Sequence, residues 1–451
     1  MAVAPHTLAH WQTQLAAGRI SSRELTEQAL DAAQADRVSF LAVHAQAARA
    51  TADATDRLRA AGVPLPPLAG LPLSIKDLFD EAGQVTRAGS SVLASAAPAA
   101  ADSTVVQRLR AAGAVIVGRT NMTEFAFSGL GLNPHYGTPR TPWDRATGRI
   151  AGGSSSGAAV SVADGAAVAA IGTDTGGSVR IPSALCGLTG FKPTARRVPM
   201  DGVLPLSPTL DSVGPLARSV ACCALLDAVL AGEPWRPLPP ASLAGLRLAL
   251  PRTLVREGMD ARVGAAFEAA CGALSAAGAT VVEIDVPEFA QLAHLNRAGG
   301  FIAAEAWAWH ARLLETAGEA YDPRVAARIR RGASITAADY LELQQARARW
   351  IADVTSRLAE ANAAAFVMPT VPIVAPPVAQ LEADDEAFTR INLLMLRNPT
   401  FINFLDGCAV TLPCHRAGEA PVGLMLAAPG GQDRRLLALA AAAEAVLPAR
   451  H

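Results

Sequence analysis

Two glycine–serine turns, whose key serines lie 24 positions apart, are the segments of this chain best suited to chemistry. The first is GGSSSG at 152–157, which contains Ser154, and the second is GGS at 176–178, which ends on Ser178. Glycines permit backbone angles closed to other residues and let main-chain N–H groups approach a ligand. A serine at such a turn can be a nucleophile with its oxyanion donors beside it. The pattern therefore indicates acyl transfer by a serine.

A serine hydroxyl is a poor nucleophile at neutral pH, so the site needs a base. The chain has eight histidines, and none lies between 152 and 178. Lys76 instead ends the apolar segment LPLSIK at 71–76, where burial would favour the neutral amine. Its neighbour Asp77 would oppose that shift if it faced the amine. We therefore expect Asp77 to face away and to bind backbone groups.

Other interpretations of the first turn are available. GSSSG at 153–157 fits the G-x-S-x-G nucleophile elbow, which would make Ser155 the nucleophile and His415 the candidate base. That interpretation leaves Lys76 and the second turn without a role. A phosphate-binding loop fits less well, because two alanines follow the turn where Lys-Ser/Thr is needed.

The segments around the turns alternate between helix and strand patterns. Strands are predicted at 71–76, 114–117, 246–250 and 280–284, and helices at 104–112, 157–170 and 259–277, with a long, mostly helical stretch at 301–361. Residues 5–62 look helical, and the proline-rich 368–377 fits neither a regular helix nor a central strand. This alternation predicts an α/β sheet with helices on both faces.

Composition narrows the possible partners. The 451 residues include 39 basic and 40 acidic ones, a net charge of −1, so we expect neither nucleic acid nor a membrane surface as a partner. Six cysteines without a C-x-x-C pair indicate reduced thiols in a cytoplasmic protein, and no secretory signal is recognisable. No metal-ligand motif is present, and we expect no metal and no cofactor.

Together these segments resemble the amidase signature family. The similarity spans most of the chain and is dense from about 65 to 220. It is weaker at PVGL (421–424) and at Asp433. The matching blocks are GLPLSIKD at 70–77, GRTNMTEF at 118–125, GGSSSG at 152–157, GTDTGGSVRIP at 172–182 and CGLTGFKPT at 186–194.

The resemblance implies a Ser–cis-Ser–Lys triad. Ser178 corresponds to the nucleophile, Ser154 to a bridging serine preceded by a cis peptide bond, and Lys76 to the base. In this scheme neutral Lys76 takes a proton from Ser154, which takes one from Ser178 as it attacks the carbonyl.

The second turn is also expected to stabilise the oxyanion. The backbone N–H groups assigned to this oxyanion hole belong to Thr175, Gly176, Gly177 and Ser178. Three side chains are expected to support the network: Ser155 by hydrogen bonding within it, and Asp174 with Arg180 as a polar hub under the turn.

The family's architecture implies one large α/β/α domain with a central mixed β-sheet over residues 1–451. Within it we expect a helical region at 1–62, a catalytic core at 63–225, and the rest of the sheet and helices at 226–451. The variable substrate-pocket region is expected at about 300–407.

The substrate is expected to be a small-molecule amide bound near the triad. The candidate binding residues are Met122, within the 118–125 block, and Phe127, Ser128 and Gly129 in the loop that follows it. Seven apolar residues could line a pocket or simply pack in the core: Trp307, Trp309, Met368, Phe388, Met395, Phe401 and Phe404. Three others could bind a charged substrate end or lie on the surface: Arg390, Arg397 and Asp406.

These observations favour a stand-alone amidase that releases ammonia or an amine. The alternative is the glutaminase component of a tRNA-dependent amidotransferase complex. Two segments argue against it: 328–345 lacks the tyrosine-rich continuation of that component, while FSGLGLNPHYG at 127–137 looks more like stand-alone amidases. A catalytically inactive scaffold is a third option. The sequence leaves open whether the chain forms a homodimer.

Overall fold

The computed structural model describes residues 6–448, so residues 1–5 and 449–451 of the expected domain lie outside the described residues. Within the described range the chain forms a sheet of eleven strands. They are β1 Phe40–Val43, β2 Pro72–Lys76, β3 Val115–Thr120, β4 Ala169–Thr173, β5 Thr189–Lys192, β6 Val213–Ala217, β7 Arg247–Pro251, β8 Thr280–Ile284, β9 Ala365–Pro369, β10 Cys408–Pro413 and β11 Gly423–Ala428.

Helices connect and cover these strands. In chain order they are α1 Leu8–Ala16, α2 Ser22–Ala35, α3 Ala45–Ala60, α4 Thr104–Ala111, α5 Ser156–Ala163, α6 Arg180–Leu185, α7 Val220–Ala231, α8 Ala261–Ala276, α9 Glu288–Leu295, α10 Gly300–Ala317, α11 Pro323–Arg330, α12 Ala337–Glu360, α13 Val378–Ala383, α14 Asp385–Phe404 and α15 Asp433–Glu444.

The sheet is mixed, which confirms the predicted α/β class. Its strand order is β1-β3-β2-β4-β6-β5-β10-β11-β9-β7-β8. Parallel pairs join β2 to β3 and β4, and β7 to β8 and β9, while the other neighbours are antiparallel. Most of the strands are buried along their whole length, as expected for a sheet covered by helices.

The pairing of β2 with β4 brings the candidate site residues close together. The two strands run parallel with Ile75 opposite Ile171, so their carboxyl ends meet at one edge of the sheet. Lys76 is the last residue of β2, and Thr173 is the last residue of β4. The second glycine–serine turn follows β4 directly, at the kind of position where α/β sheets hold their ligands.

Local sequence accounts for several of the elements. Ser21 and Glu24 form a reciprocal capping box at the start of α2. The strand predicted at 280–284 is β8 with the same bounds, and the one predicted at 246–250 is displaced by one residue in β7. Five of the six cysteines are buried, and Cys271 is half-buried.

Three predictions of secondary structure were wrong in part. The helical region at 1–62 is interrupted by β1, whose four residues FLAV pair with β3 at the sheet edge and are too few to show a period. The helix predicted at 157–170 ends at Ala163, because Gly165 follows with a φ of +80° and the chain turns into β4. The segment 368–377 begins inside β9, a central strand, with Pro369 at the strand's last position, where a proline is tolerated.

None of the described helices is both long and apolar enough to cross a lipid bilayer.

Candidate active site

Lys76 is fully buried at the end of β2 and faces the two loops that follow the neighbouring strands. Its Nζ donates hydrogen bonds to Ser154 Oγ at 2.7 Å and to Thr173 Oγ1 at 2.8 Å. The structure thus joins the expected base to the expected bridging serine by a direct hydrogen bond.

Burial lowers the pKa of Lys76 to about 7, because the ammonium form is poorly solvated inside the protein. The carboxylates of Asp211 and Asp174 act in the opposite direction and favour the charged form. Near neutral pH the amine is therefore present in its basic form in a substantial fraction of molecules.

Asp77 turns away from the Lys76 amine, as expected. Its Oδ2 accepts a hydrogen bond from the Gly89 backbone N–H at 3.2 Å. Its Oδ1 accepts one from Arg119 Nε at 2.8 Å, a buried ion pair that the sequence did not predict. Because Arg119 compensates the carboxylate, Asp77 is held as a structural partner of β3.

The first glycine–serine turn packs tightly around Ser154. The Gly153–Ser154 peptide bond is cis, as the resemblance implies. A Cβ at Gly153 would lie 2.5 Å from the backbone nitrogen of Gly131, so only glycine fits there. The Ser154 carbonyl accepts a hydrogen bond from the Thr123 N–H at 3.1 Å, which ties the turn to the preceding loop.

Ser155 links the two turns. Its N–H donates to the Ser178 carbonyl at 3.3 Å, and its Oγ donates to the Thr173 carbonyl at 3.3 Å. Since this hydroxyl is fully buried and donates to a carbonyl, it suits a supporting role better than that of the nucleophile in the elbow interpretation. His415, the base in that interpretation, accepts a hydrogen bond from the Val422 N–H at the far end of the chain.

Asp174 and Arg180 form the expected hub under the second turn, and both are fully buried. Arg180 donates to both carboxylate oxygens, from Nη2 at 2.8 Å and from Nε at 3.0 Å. Burial alone would raise the pKa of Asp174. The charge and hydrogen bonds of the Arg180 guanidinium have the larger combined effect and hold this pKa below its usual range. The carboxylate also accepts the N–H groups of Gly177 and Val179, which fixes the path of the turn.

This hub engages one of the four N–H groups that we assigned to the oxyanion hole. The Gly177 N–H donates to Asp174 Oδ1 at 2.9 Å, so it is directed toward the hub. In the described part of the chain, the N–H groups of Thr175, Gly176 and Ser178 donate to no protein acceptor. Three of the four expected donors are therefore without a protein acceptor among the described residues.

Asp211 was missed by sequence reasoning, because it lies in a segment without a motif. It is buried, and its Oδ1 accepts a hydrogen bond from Thr175 Oγ1 at 2.5 Å. Its Oδ2 accepts the N–H groups of Leu206 and Ser207, each at 3.0 Å. Burial raises the pKa of Asp211 to about 6. The side chain thus connects the second turn to the loop before β6.

Ser178 opens into a cavity of about 180 Å³. The lining comprises Ala126, Phe127, Ser128, Gly176, Ser178, Leu206, Gly299, Ile302, Ala303, Arg328, Arg331, Asn392, Leu393 and Leu396. Two of the four expected binding residues, Phe127 and Ser128, are in this set. Gly129 lies behind it, where its carbonyl accepts the Gly153 N–H at 2.8 Å. The Met122 carbonyl accepts from Asn133 Nδ2, and its side chain is in the core.

The apolar candidates from the variable region lie elsewhere. None of the seven is among the residues that line this cavity. Trp307, Met368, Phe401 and Phe404 belong to or pack on the main core, Phe388 and Met395 belong to a second hydrophobic cluster, and Trp309 contacts Phe125.

The charged candidates also lie away from Ser178. Arg390 and Arg397 line a separate surface groove beside α14, and Asp406 pairs with Arg196. The cavity instead receives Arg328 from α11 and Arg331 just beyond it, which sequence reasoning did not select.

Among the described residues no group of three or more His, Cys, Asp or Glu side chains is arranged to hold a metal ion.

The Lys76 amine is thus buried and hydrogen-bonded to Ser154, and Ser178 lines a cavity next to backbone N–H groups that donate to no acceptor among the described residues. The family model for amidases matches residues 24–437, so this chain belongs to the amidase signature family, as the resemblance suggested.

The chain is similar to 2-amino-5-chloromuconic acid deaminase from Comamonas testosteroni, with 37% identity over 407 residues, 90% of this chain and 87% of the relative. It is also similar to a glutamyl-tRNA(Gln) amidotransferase subunit from Chloroflexus aggregans, with 35% identity over 455 residues, 93% of this chain and 92% of the relative. A solved amidase superposes with a TM-score of 0.87 at 33% identity, over 98% of this chain and 100% of its own. The chain is thus a hydrolase that acts on amides.

Proposed function

We propose that this protein hydrolyses a carboxamide through an acyl-enzyme on Ser178, with Lys76 as the base and Ser154 as the proton relay. The observation that carries the proposal is the 2.7 Å hydrogen bond from Lys76 Nζ to Ser154 Oγ, in a turn whose Ser155 N–H donates to the carbonyl of Ser178 on the open cavity.

In the first half-reaction, Ser178 Oγ attacks the amide carbon and its proton passes to Ser154, whose own proton passes to neutral Lys76. The Thr175, Gly176 and Ser178 N–H groups stabilise the oxyanion that forms. Reversal of the relay protonates the leaving nitrogen, the C–N bond breaks, and ammonia or an amine departs. Water then attacks the ester through the same relay, which releases the acid and restores Ser178.

A second candidate is the glutaminase component of an amidotransferase complex, which the similarity to the Chloroflexus aggregans protein supports. In that case the chain would act on glutamine and pass ammonia to a partner. Amide hydrolysis by the isolated chain on substrates other than glutamine favours the stand-alone enzyme. Glutaminase activity that depends on added partner proteins favours the alternative.

Covalent labelling tests the proposed nucleophile. A fluorophosphonate reagent is expected to modify one serine, and peptide mapping by mass spectrometry should place the adduct on Ser178. Ser155→Ala is the control, because it removes the nucleophile of the elbow interpretation and should still be labelled. An adduct on Ser155, or no adduct on an intact protein, would contradict the proposal.

Asp211→Asn is expected to shift the pH dependence of kcat/KM. The Asp211 carboxylate favours the ammonium form of Lys76, so its neutralisation lowers the pKa of the amine. The base is then available at lower pH, and the acid limb of the profile should move to lower pH by up to about one unit. Asparagine still offers an oxygen to the Leu206 and Ser207 N–H groups. A limb that stays in place or moves upward would show that Asp211 does not act on the base.

A further inference from the structure

The first half of the second glycine–serine turn is held by a side chain rather than by its backbone. Among the described residues, the N–H and the carbonyl of Thr175 make no hydrogen bond, and Gly176 makes one long contact, from Thr400 Oγ1 to its carbonyl at 3.4 Å. The Thr175 hydroxyl donates to Asp211 Oδ1, which is the only hydrogen bond of this residue in the described part of the chain. The position of the first two candidate oxyanion donors therefore depends on Asp211.

Asp211 ends a short segment, residues 205–211, whose Leu206 lines the Ser178 cavity. The Leu206 and Ser207 N–H groups donate to Asp211 Oδ2, and the Asp211 N–H donates to the Ser207 carbonyl at 2.8 Å. These hydrogen bonds lie within the segment, so they fix its shape but not its place in the molecule. Contacts with other elements must set the place of Asp211 relative to the turn.

Glu305 of α10 accepts most of the hydrogen bonds that leave the 205–211 segment. Ser207 Oγ donates to its Oε2 at 2.5 Å, the Thr209 N–H donates to the same oxygen at 3.1 Å, and Thr209 Oγ1 donates to Oε1. Tyr340 of α12 donates to Glu305 Oε1 at 2.6 Å and lies 3.3 Å from Thr209 Oγ1. Apart from the contact with Thr175, no further hydrogen bond joins the segment to the rest of the described chain.

The Glu305 carboxylate is committed to these contacts. Among the described residues it belongs to no ion pair, and its four hydrogen bonds come from neutral donors. Hydrogen bonds to a charged acceptor are stronger than those between neutral groups. The same helix lines the cavity through Ile302 and Ala303, less than one turn away. Glu305 therefore fastens the segment that carries Asp211 to a wall of the cavity.

We propose that Glu305 is a positioning residue for the acyl-transfer step. By anchoring the 205–211 segment it keeps Asp211 in place, and Asp211 in turn holds the backbone N–H groups at the start of the turn where the oxyanion forms. A displacement of about 1 Å in such a group can cost about a hundredfold in rate. This inference rests on the proposed function, because it takes Ser178 as the nucleophile.

An alkyl fluorophosphonate tests the inference whatever the physiological amide is. Ser178 Oγ attacks phosphorus, the P–O bond forms, the P–F bond breaks with loss of fluoride, and the serine proton passes through Ser154 to Lys76. Negative charge develops on the phosphoryl oxygen during the attack, so the N–H donors of the turn act on this chemical step. The rate of the step is kinact, and reversible binding before it gives KI. The measurement belongs at a pH well above the midpoint expected for Lys76, where the base is neutral.

Glu305→Ala is expected to lower kinact by about tenfold to a hundredfold while KI changes little, because the lost contacts position groups that act only in the chemical step. Glu305→Gln keeps an oxygen that can accept from Ser207 and should retain most of the rate. Glu315→Ala is the matched control: Glu315 is exposed on the same helix, and both constants should stay unchanged. An unchanged kinact in Glu305→Ala, or a loss confined to KI, would overturn the inference.

A double-variant cycle separates positioning from a general loss of structure. Thr175→Val removes the hydroxyl that reaches Asp211 and should lower kinact by a similar factor. Once that link is cut, adding Glu305→Ala should cost little more, because the two changes interrupt one chain of contacts. Fully additive losses would show that Glu305 acts by another route and would contradict the inference.

Ser207→Ala gives the same test if Glu305→Ala does not fold well enough to assay. It removes the hydroxyl bonded to Glu305 and keeps the N–H bonded to Asp211, so kinact should fall with little change in KI. An unchanged kinact in this folded variant would count against the inference. Absence of labelling at Ser178 in the wild-type protein would reject the proposed function. Labelling of Ser178 at one rate in the wild type and in each of these variants would reject the positioning role alone.

Discussion

Ser178→Ala is expected to lower kcat for amide hydrolysis by about four to six orders of magnitude, the range found when a nucleophile that acts as one unit with its base is removed. The fold should change little, because Ser178 Oγ faces the cavity and the alanine fills the same space. The measurement is steady-state release of ammonia, together with a thermal melt of each variant.

Ser156→Ala is the matched control in the same glycine-rich block. Ser156 Oγ is buried and makes no hydrogen bond among the described residues, so its removal should leave both turnover and the melt nearly unchanged. Substantial turnover by Ser178→Ala, or an equal loss in the control, would place the nucleophile elsewhere.

Lys76→Met is expected to cost about three to six orders of magnitude in kcat, because it removes the proton acceptor while filling a similar volume. Combined with Ser178→Ala it should cost little more than either change alone, since the proposed relay requires all three side chains. A double variant with fully additive losses would argue against a shared relay.

The wild-type pH profile follows from the same amine. A base must be deprotonated to accept a proton, and the pKa of Lys76 is lowered to about 7. The value of kcat/KM should therefore rise with pH through a midpoint near 7, and activity should be lost as the pH falls below it.

Lys192→Met provides the control for a buried lysine. Lys192 is also fully buried, with its pKa lowered to about 8, and it donates to the carbonyls of Pro193 and Gly407. Its loss should lower the melting temperature without moving the midpoint of the pH profile. A profile that keeps its midpoint in Lys76→Met, or loses it in Lys192→Met, would contradict the assignment of the base.

The parts of this molecule that could be predicted from sequence are those set by local pattern. The run LPLSIK ends on a buried lysine because a short apolar segment forms a central strand, and TVVEI became β8 with the predicted bounds. The glycine turns were recognisable because close backbone approach leaves few alternatives to glycine. At Gly153, for example, an added Cβ would lie only 2.5 Å from the backbone nitrogen of Gly131.

The parts that could not be predicted depend on contacts between distant segments. Arg328 is one of several arginines on an amphipathic helix, and nothing local distinguishes it from Arg324 or Arg330. Arg328 and Asn392 reach the Ser178 cavity only because α11 and α14 pack around the second turn. From the motif we expected the Gly177 N–H to donate a hydrogen bond to the substrate oxygen. In the structure it donates to the Asp174 carboxylate.

The exclusion of solvent around Lys76 determines how this enzyme should lose activity as it begins to unfold. The amine is neutral, and so able to accept a proton, only while the end of β2 excludes water, so any loosening that hydrates it returns the pKa toward that of an ordinary lysine and protonates the side chain. Under mild heat or denaturant, turnover at neutral pH should therefore disappear before the far-ultraviolet circular dichroism changes. The catalytic rate should therefore report hydration around Lys76 more sensitively than the circular dichroism signal of the secondary structure.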